Sequence, residues 1–257
     1  MTASEHGPEH PTPSGPETSP EDDLAALRDG EAALLATAEK LDAAELTEPS
    51  LLPGWSRGHV LTHLARNADA LVNVLEGRPM YASAEARDHD IEVGAARPLA
   101  AHLDDLRTSA ARLDRAFAGY GGERWENLLE LRNGVTDRAA ALPFRRRVEV
   151  ELHHYDLDAG RELADLPAGF AERAVGYLAR RFTGNPEVPA TELRAADGRT
   201  WHTGRAFNPE DPAGDGTPAP PVVVTGSTAA LAGWLAGRTT GGGLTADGGT
   251  LPVLPPL

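Results

Sequence analysis

Three polar side chains are aligned along one predicted helix in the middle of the chain, in the segment RVEVELHHYDL. Glu149, His153 and Asp156 are spaced i, i+4 and i+7, and at about 100° per residue this spacing places them on one narrow stripe. A glutamate and a histidine one turn apart can share a divalent cation, and a histidine from a facing helix would complete a three-ligand site with an open fourth position. Glu151 and His154 point elsewhere on the helix, whereas Asp156 is placed to accept a hydrogen bond from an imidazole.

A second predicted helix supplies candidate facing histidines. His59, His63 and Asn67 are spaced i, i+4 and i+8, and they form a polar stripe beside an apolar arc that includes Val60 and Leu64. From the residues alone, two interpretations remain open for these two helices. They share a metal site, or their polar residues lie at the edge of the core with satisfied hydrogen bonds.

The chain contains no cysteine, so it has no thiolate ligand and no sulfur nucleophile of its own. The segment Gly54–Gly58 matches the G-x-S-x-G pattern of a serine nucleophile, but that pattern requires a buried strand before the serine. Pro49 and Pro53 precede it instead, and we predict that Ser56 is the N-cap of the following helix. Any sulfur chemistry must therefore use a small-molecule thiol.

The charge balance excludes several classes of partner. The 257 residues carry 24 Lys+Arg and 39 Asp+Glu, a net charge of −15, which argues against nucleic acid and anionic membranes. No apolar run approaches the ~18 residues of a membrane span, and the N-terminal sequence lacks the basic start and apolar stretch of a signal peptide. We expect a monomeric cytoplasmic protein that binds small molecules.

The elements that must position the polar stripes are helical. Residues 1–22 are rich in Pro, Glu, Ser and Thr and are predicted to be a disordered acidic tail. Residues 23–165 are predicted to form an antiparallel four-helix bundle with one long polar connection, which can hold a short helix. The expected helices begin near 21, 56, 99 and 144 and end near 46, 77, 117 and 160, and the short helix starts at Ser83.

The pattern changes after Leu166, and residues 166–257 are predicted to form a small α/β domain. A helix over about 169–182 precedes two short runs that flank an Asp-Gly turn and predict a hairpin over 192–201. A strand over 221–225, a helix over 227–235 and an edge strand over 251–255 follow. The fold class is therefore α+β, with a helical bundle before a small mixed domain.

Four segments of the sequence resemble the mycothiol-dependent maleylpyruvate isomerase family of actinobacteria. They are Leu52–Asn73, which reads LPGWSRGHVLTHLARNADALVN, and the shorter Pro79–Ser83, Arg87–Glu92 and Arg147–Leu157. The first and last are specific, and the similarity extends over about residues 24–257. The resemblance implies a DinB-like four-helix bundle followed by a small α/β domain.

The resemblance also implies a metal site and a reaction. Zinc would be held by His63, Glu149 and His153, and mycothiol would bind the open position as a thiolate, because zinc lowers the pKa of a thiol as it does that of water. The thiolate would add to the cis double bond of maleylpyruvate, the resulting single bond would rotate, and loss of the thiol would give fumarylpyruvate. Such an isomerisation belongs to gentisate-type aromatic degradation.

A substrate with two carboxylates needs local positive charge, and arginine can bind carboxylates through two parallel hydrogen bonds. Arg87, in the connection after the second helix, and Arg238, after the C-terminal helix, are the candidate catalytic residues that bind substrate. Solvated surface arginines are the alternative for both. The segment Pro143–Arg147 departs from the family pattern by being more basic, which affects the expected substrate more than the metal.

Two other functions are compatible with the same site. One is a mycothiol S-transferase that acts on an electrophile or a natural-product intermediate. The other is a non-catalytic protein that binds a metal or a thiol. The three ligands would serve each of them, because only the substrate pocket separates an isomerase from a transferase.

Overall fold

The computed structural model describes residues 18–205 and 220–256. The described chain divides into two compact units, one over residues 18–162 and the other from residue 163 onward. Most of the predicted acidic tail lies outside the described residues. Among the described residues, no helix combines the length and hydropathy that a membrane span requires.

The first unit is built from five helices. They are α1 (Pro20–Ala38), α2 (Arg57–Leu75), α3 (Ala84–Ala95), α4 (Leu99–Ala118) and α5 (Leu142–Asp156). The four long helices α1, α2, α4 and α5 form the predicted bundle, in which α2 packs mainly on α4 and α5 mainly on α1. The short helix α3 lies in the long connection and packs on α2.

Local sequence signals set where these helices begin. The Ser19 side chain accepts a hydrogen bond from the Asp22 backbone N–H at 3.1 Å, and Pro20 occupies the first turn of α1, where its missing N–H costs nothing. Ser56 precedes α2 as predicted, and its backbone N–H donates to Nδ1 of His59 at 3.2 Å. Ser83 caps α3 as Ser19 caps α1, because its side chain accepts a hydrogen bond from the Ala86 backbone N–H.

The first helix ends at Ala38, eight residues before the predicted end near Leu46. The Asp42 side chain accepts hydrogen bonds from the backbone N–H groups of Ala44 and Glu45, at 2.8 and 2.9 Å. This local turn competes with helical hydrogen bonding. The chain after Ala38 stays against the core, and Leu46 is buried there. The apolar spacing therefore continues beyond the end of the helix.

A short hairpin precedes α5 and was not predicted. Strands β1 (Leu128–Glu130) and β2 (Thr136–Arg138) pair antiparallel across a turn in which Asn133 has a φ of 61°. Three-residue strands are too short to show a periodic pattern. The fifth helix also begins two residues earlier than predicted, because Pro143 fits its first turn.

The second unit contains helices α6 (Ala168–Ala179) and α7 (Thr228–Leu235), which pack on each other, and a four-stranded sheet. Its strands are β3 (Thr191–Ala195), β4 (Thr200–Thr203), β5 (Val222–Gly226) and β6 (Thr245–Ala246), in the order β4-β3-β5-β6. The predicted hairpin is formed by β3 and β4, and β5 runs parallel to β3.

The predicted edge strand over 251–255 is wrong. The edges of the sheet are β4 and β6, and the described residues after 246 contain no strand. Pro252 and Pro255 lack the N–H groups that a strand donates to its neighbour, and this explains why the apolar run Leu251–Leu254 does not pair.

Candidate metal centre

Three side chains from two helices bring their ligand atoms together in the first unit. His63 projects from α2, and Glu149 and His153 project from α5. Oε2 of Glu149 lies 3.0 Å from Nε2 of His63 and 3.3 Å from Nε2 of His153. Two ligands each about 2.1 Å from a tetrahedral zinc ion would be about 3.4 Å apart. The donor set and its spacing therefore fit a zinc ion.

The group is exposed to solvent mainly through the carboxylate. The Glu149 side chain is 36% exposed, whereas those of His63 and His153 are 7% and 11% exposed. The two imidazoles meet edge to face, with ring centroids 4.6 Å apart. This arrangement encloses the imidazole side of the group and leaves an approach for a ligand on the side of Glu149.

A fully buried carboxylate orients one of the imidazoles. Nδ1 of His153 lies 2.8 Å from Oδ2 of Asp156, and Asp156 is 0% exposed. Asp156 therefore accepts a hydrogen bond from an imidazole, as the sequence predicted, and the imidazole is that of His153. With its N–H directed at Asp156, the ring presents Nε2 to the centre, which is the usual support for a metal-binding histidine.

The protonation states of His63 and Glu149 suit metal binding. Burial, with a smaller contribution from the neighbouring His153, lowers the pKa of His63 to about 4. Burial by itself raises the pKa of Glu149, but hydrogen bonds from His153 and His63 outweigh it and hold the pKa well below the usual range. At neutral pH the carboxylate is charged and the His63 imidazole is neutral, as metal ligands must be. Burial lowers the pKa of His153, but hydrogen bonds to Asp156 and Glu149 outweigh it and raise the pKa above its usual value, so a metal ion must displace a proton from this ring.

The structure places Arg87 at this centre. Nη2 of Arg87 lies 3.3 Å from Nδ1 of His63, while Nη1 donates to Asp88 at 2.6 Å. Because a guanidinium only donates, Nδ1 of His63 is the acceptor in this contact. The Arg87 side chain is 13% exposed and lies 5.8 Å from the centroid of the Tyr81 ring. Substrate binding by Arg87 stays a prediction.

Arg238 belongs to the second unit and follows α7. Gly237 adopts a φ of 72°, and the backbone N–H groups of Gly237 and Arg238 donate to Trp234 and Gly233 at 3.0 and 2.8 Å. This is the hydrogen-bond pattern of a glycine-terminated helix. Nη1 of Arg238 donates to the Ala236 carbonyl at 2.7 Å. Its predicted contact with substrate stays a prediction.

The other histidines of the two helices make different contacts. His59 contacts the Ser56 hydroxyl at 2.8 Å and Glu92 at 3.2 Å, so it is separate from the three ligands. His154 is buried, and its Nε2 lies 2.8 Å from the Thr37 hydroxyl. Burial and Arg161 together lower the pKa of His154 to about 4. On α2, therefore, His63 belongs to the candidate metal centre and His59 does not. On α5, His154 is likewise outside the centre.

Sequence reasoning missed a buried arginine next to the centre. Arg146 is 2% exposed and contacts three acceptors on α1 and α2. Arg146 precedes Glu149 by one helical turn, and this spacing could have indicated that Arg146 lies on the same buried face of α5. The signal was hidden because Arg145 and Arg147 flank it, and a run of three arginines suggests a solvated surface.

The class of protein is defined by a helical bundle that carries a histidine–glutamate centre and is followed by a small mixed domain. The sequence family model of the mycothiol maleylpyruvate isomerase N-terminal domain matches residues 27–158, and the family model of the corresponding C-terminal domain matches residues 165–256. The chain belongs to the mycothiol maleylpyruvate isomerase family and is an enzyme of that type. The family and the fold class expected from the sequence are thus confirmed.

Solved structures agree with this assignment. The chain is similar to a crystal structure of the mycothiol-dependent maleylpyruvate isomerase, with a TM-score of 0.82 and 27% identity over 93% of this chain and 98% of that one. A structure of a histidine-to-alanine mutant of that isomerase gives the same values. No curated protein sequence matches the chain.

Proposed function

We propose that this chain is a zinc- and mycothiol-dependent isomerase that converts maleylpyruvate to fumarylpyruvate. The observation that carries the proposal is the convergence of His63, Glu149 and His153 from two helices, with ligand atoms all within 4.8 Å of one another. Three protein ligands leave one position open for a small molecule, which is the pattern of catalytic zinc sites.

The composition supports an external thiol. When bound, zinc lowers the pKa of a thiol at its open position and so supplies a nucleophile at neutral pH. The chain contains no cysteine that could take this role. Reversible addition of the thiol to the cis double bond, which the adjacent carbonyl activates, permits rotation and returns the thiol unchanged.

The residues around the centre have separate tasks in this proposal. Asp156 keeps the Nδ1–H of His153 directed away from the centre, at 2.8 Å. Arg87 adds positive charge beside His63, where it can bind a substrate carboxylate in a protein of net charge −15. Arg238 is the candidate for a second carboxylate contact.

Metal analysis and one assay test the proposal. We expect about one zinc ion per chain in purified protein, and loss of maleylpyruvate absorbance only when mycothiol is added. Fumarylpyruvate must accumulate while the thiol concentration stays constant. Isomerisation by thoroughly dialysed protein would refute the external thiol. Stoichiometric loss of thiol into a conjugate would identify an S-transferase instead.

A further inference from the structure

A buried cation links three helices at the level of the candidate metal centre. Nη1 of Arg146 on α5 donates to the Leu64 carbonyl and to Oδ1 of Asn67, both at 2.9 Å and both on α2. Nε donates to Oε1 of Glu31 on α1 at 3.2 Å. A guanidinium that is 2% exposed requires such partners, because an unpaired buried charge is strongly destabilising.

The acceptors on α2 are next to a candidate ligand. Leu64 directly follows His63, and Asn67 is one turn further along the same helix. On α5, Arg146 comes three residues before Glu149. The hydrogen bonds of Arg146 therefore join the two ligand-bearing helices within one turn of the residues that must meet at the ion.

Packing between the two ligand-bearing helices is not extensive, since α2 packs mainly on α4 and α5 mainly on α1. A second buried arginine joins α2 to the chain beyond α5. Nε of Arg57 donates to the Leu157 carbonyl at 2.7 Å, and Nη2 donates to the Asp158 carbonyl at 2.9 Å. The two arginines thus hold α2 against α5 on either side of the centre.

We propose that Arg146 is a positioning residue of the metal centre. It sets the distance between His63 and the pair Glu149 and His153, through its hydrogen bonds to the Leu64 carbonyl and Asn67. This inference rests on the proposed metal site. Arginine suits the task because its planar guanidinium contacts acceptors on two helices at once, which a lysine ammonium cannot do with the same geometry.

The contact with Glu31 provides a matched control. Glu31 neutralises the guanidinium from α1, a helix that carries no candidate ligand, and its side chain is 15% exposed. The variant Glu31→Gln removes this charge but keeps both hydrogen bonds from Arg146 to α2. If Arg146 only stabilised the fold, Glu31→Gln and Arg146→Gln would have the same effect on metal binding.

Titration with Co²⁺, followed by competition with Zn²⁺, tests the inference on full-length protein. We expect Arg146→Gln to weaken Co²⁺ binding by about 10- to 100-fold, as losses of residues that support metal ligands do. Its visible Co²⁺ spectrum should also lose the intensity typical of four-coordinate cobalt. Asn67→Ala should weaken binding by about 10-fold. Glu31→Gln should bind Co²⁺ within about twofold of the unmodified protein, although its thermal midpoint falls.

Two results would contradict a positioning role for Arg146. Unchanged affinity and spectrum in folded Arg146→Gln would overturn the inference, as would equal losses in Glu31→Gln. Should Arg146→Gln fail to fold, Asn67→Ala decides alone, because it removes one contact to α2 and leaves the buried charge paired with Glu31. Failure of the unmodified protein to bind either ion would refute the metal site itself, which is a different result from weakened binding in the variants.

Discussion

Two faces of α5 carry the same residue types in opposite electrostatic surroundings. On the inner face, Glu149 and His153 direct their ligand atoms at each other and at His63. On the other face, Glu151 is ion-paired with Arg161 and lies 3.4 Å from Nε of Arg147. A glutamate and a histidine near one another are thus compatible with two different structures.

The difference lies in what occupies the acceptor atoms. Nδ1 of His154 is 2.6 Å from Nη1 of Arg161, so an arginine N–H already takes the lone pair that a metal would use. Glu151 is 2% exposed and is neutralised by guanidinium groups. On the inner face Arg87 reaches Nδ1 of His63, at 3.3 Å, and leaves a gap between the two Nε2 atoms and Oε2 of Glu149. A metal ion can fill that gap, whereas arginines have filled the gap on the other face.

Removing one histidine from each face gives the largest contrast. We expect His153→Ala to lose zinc and activity together, because it deletes one of the three proposed ligands. His154→Ala should retain about one zinc ion per chain. Metal analysis of both purified variants checks this prediction. Equal loss of zinc from the two would mean that the wrong face was identified as the metal centre.

Removing the cation from the other face should act on stability instead. Arg161→Gln removes the closer of the two guanidinium partners of the buried Glu151. Because Arg147 remains 3.4 Å away, we expect a loss of unfolding free energy below the roughly 3 kcal/mol of a fully unpaired buried charge. Zinc affinity should remain unchanged, since Arg161 contacts none of the three ligands. Urea denaturation measures the first effect and chelator competition the second. Zinc loss in a folded Arg161→Gln protein would contradict the separation of the two faces.

The orientation of His153 can be weakened without removing a ligand. Asp156→Asn keeps the volume but loses the charge that accepts the Nδ1–H, and we expect zinc affinity to fall by about 10- to 100-fold. Competition with a chromophoric chelator measures this change. A variant with the affinity of the unmodified protein would show that Asp156 serves only the stability of α5.

The smallest expected effect concerns a histidine remote from both faces. His102 is 1% exposed, its Nε2–H donates to the Ala95 carbonyl at 3.3 Å, and its Nδ1 has no partner among the described residues. Burial and the nearby Arg97 lower its pKa, although Asp105 opposes this shift. The neutral ring is therefore the form that the fold accommodates.

The sign of the pH effect follows from these contacts. The unfolded chain takes up a proton at His102 near pH 6.5, whereas the folded chain does so only at lower pH. The contribution of His102 to stability should be constant above about pH 6.5 and should decline as the pH falls toward its folded pKa. Denaturation of the unmodified protein and of His102→Gln at pH 7.5 and 5.5 should show a smaller decline in the variant. An identical decline in the two proteins would show that protonation of His102 does not cause the loss of stability at low pH.

The sequence by itself determined the helices, the N-cap at Ser56 and the stripe of Glu149, His153 and Asp156. These features depend on neighbours within a few residues, so that spacing and local hydrogen bonding are sufficient to predict them. The specific motifs around His63 and His153 also identified the family. The predicted hydrogen bond from an imidazole to Asp156 is made by His153, which lies one turn away on the same helix.

Only the tertiary structure decided which charged residues are buried. In the run Arg145–Arg147, Arg146 enters the core to reach Leu64 and Asn67, while Arg145 lies 3.6 Å from Asp137 of β2. The early end of α1, the buried Glu151 and the short β1–β2 hairpin were equally hidden. Each depends on partners distant in the chain or on turns too short to leave a periodic pattern. A charged residue can be buried only where the fold supplies its acceptors, and spacing along one helix does not reveal them.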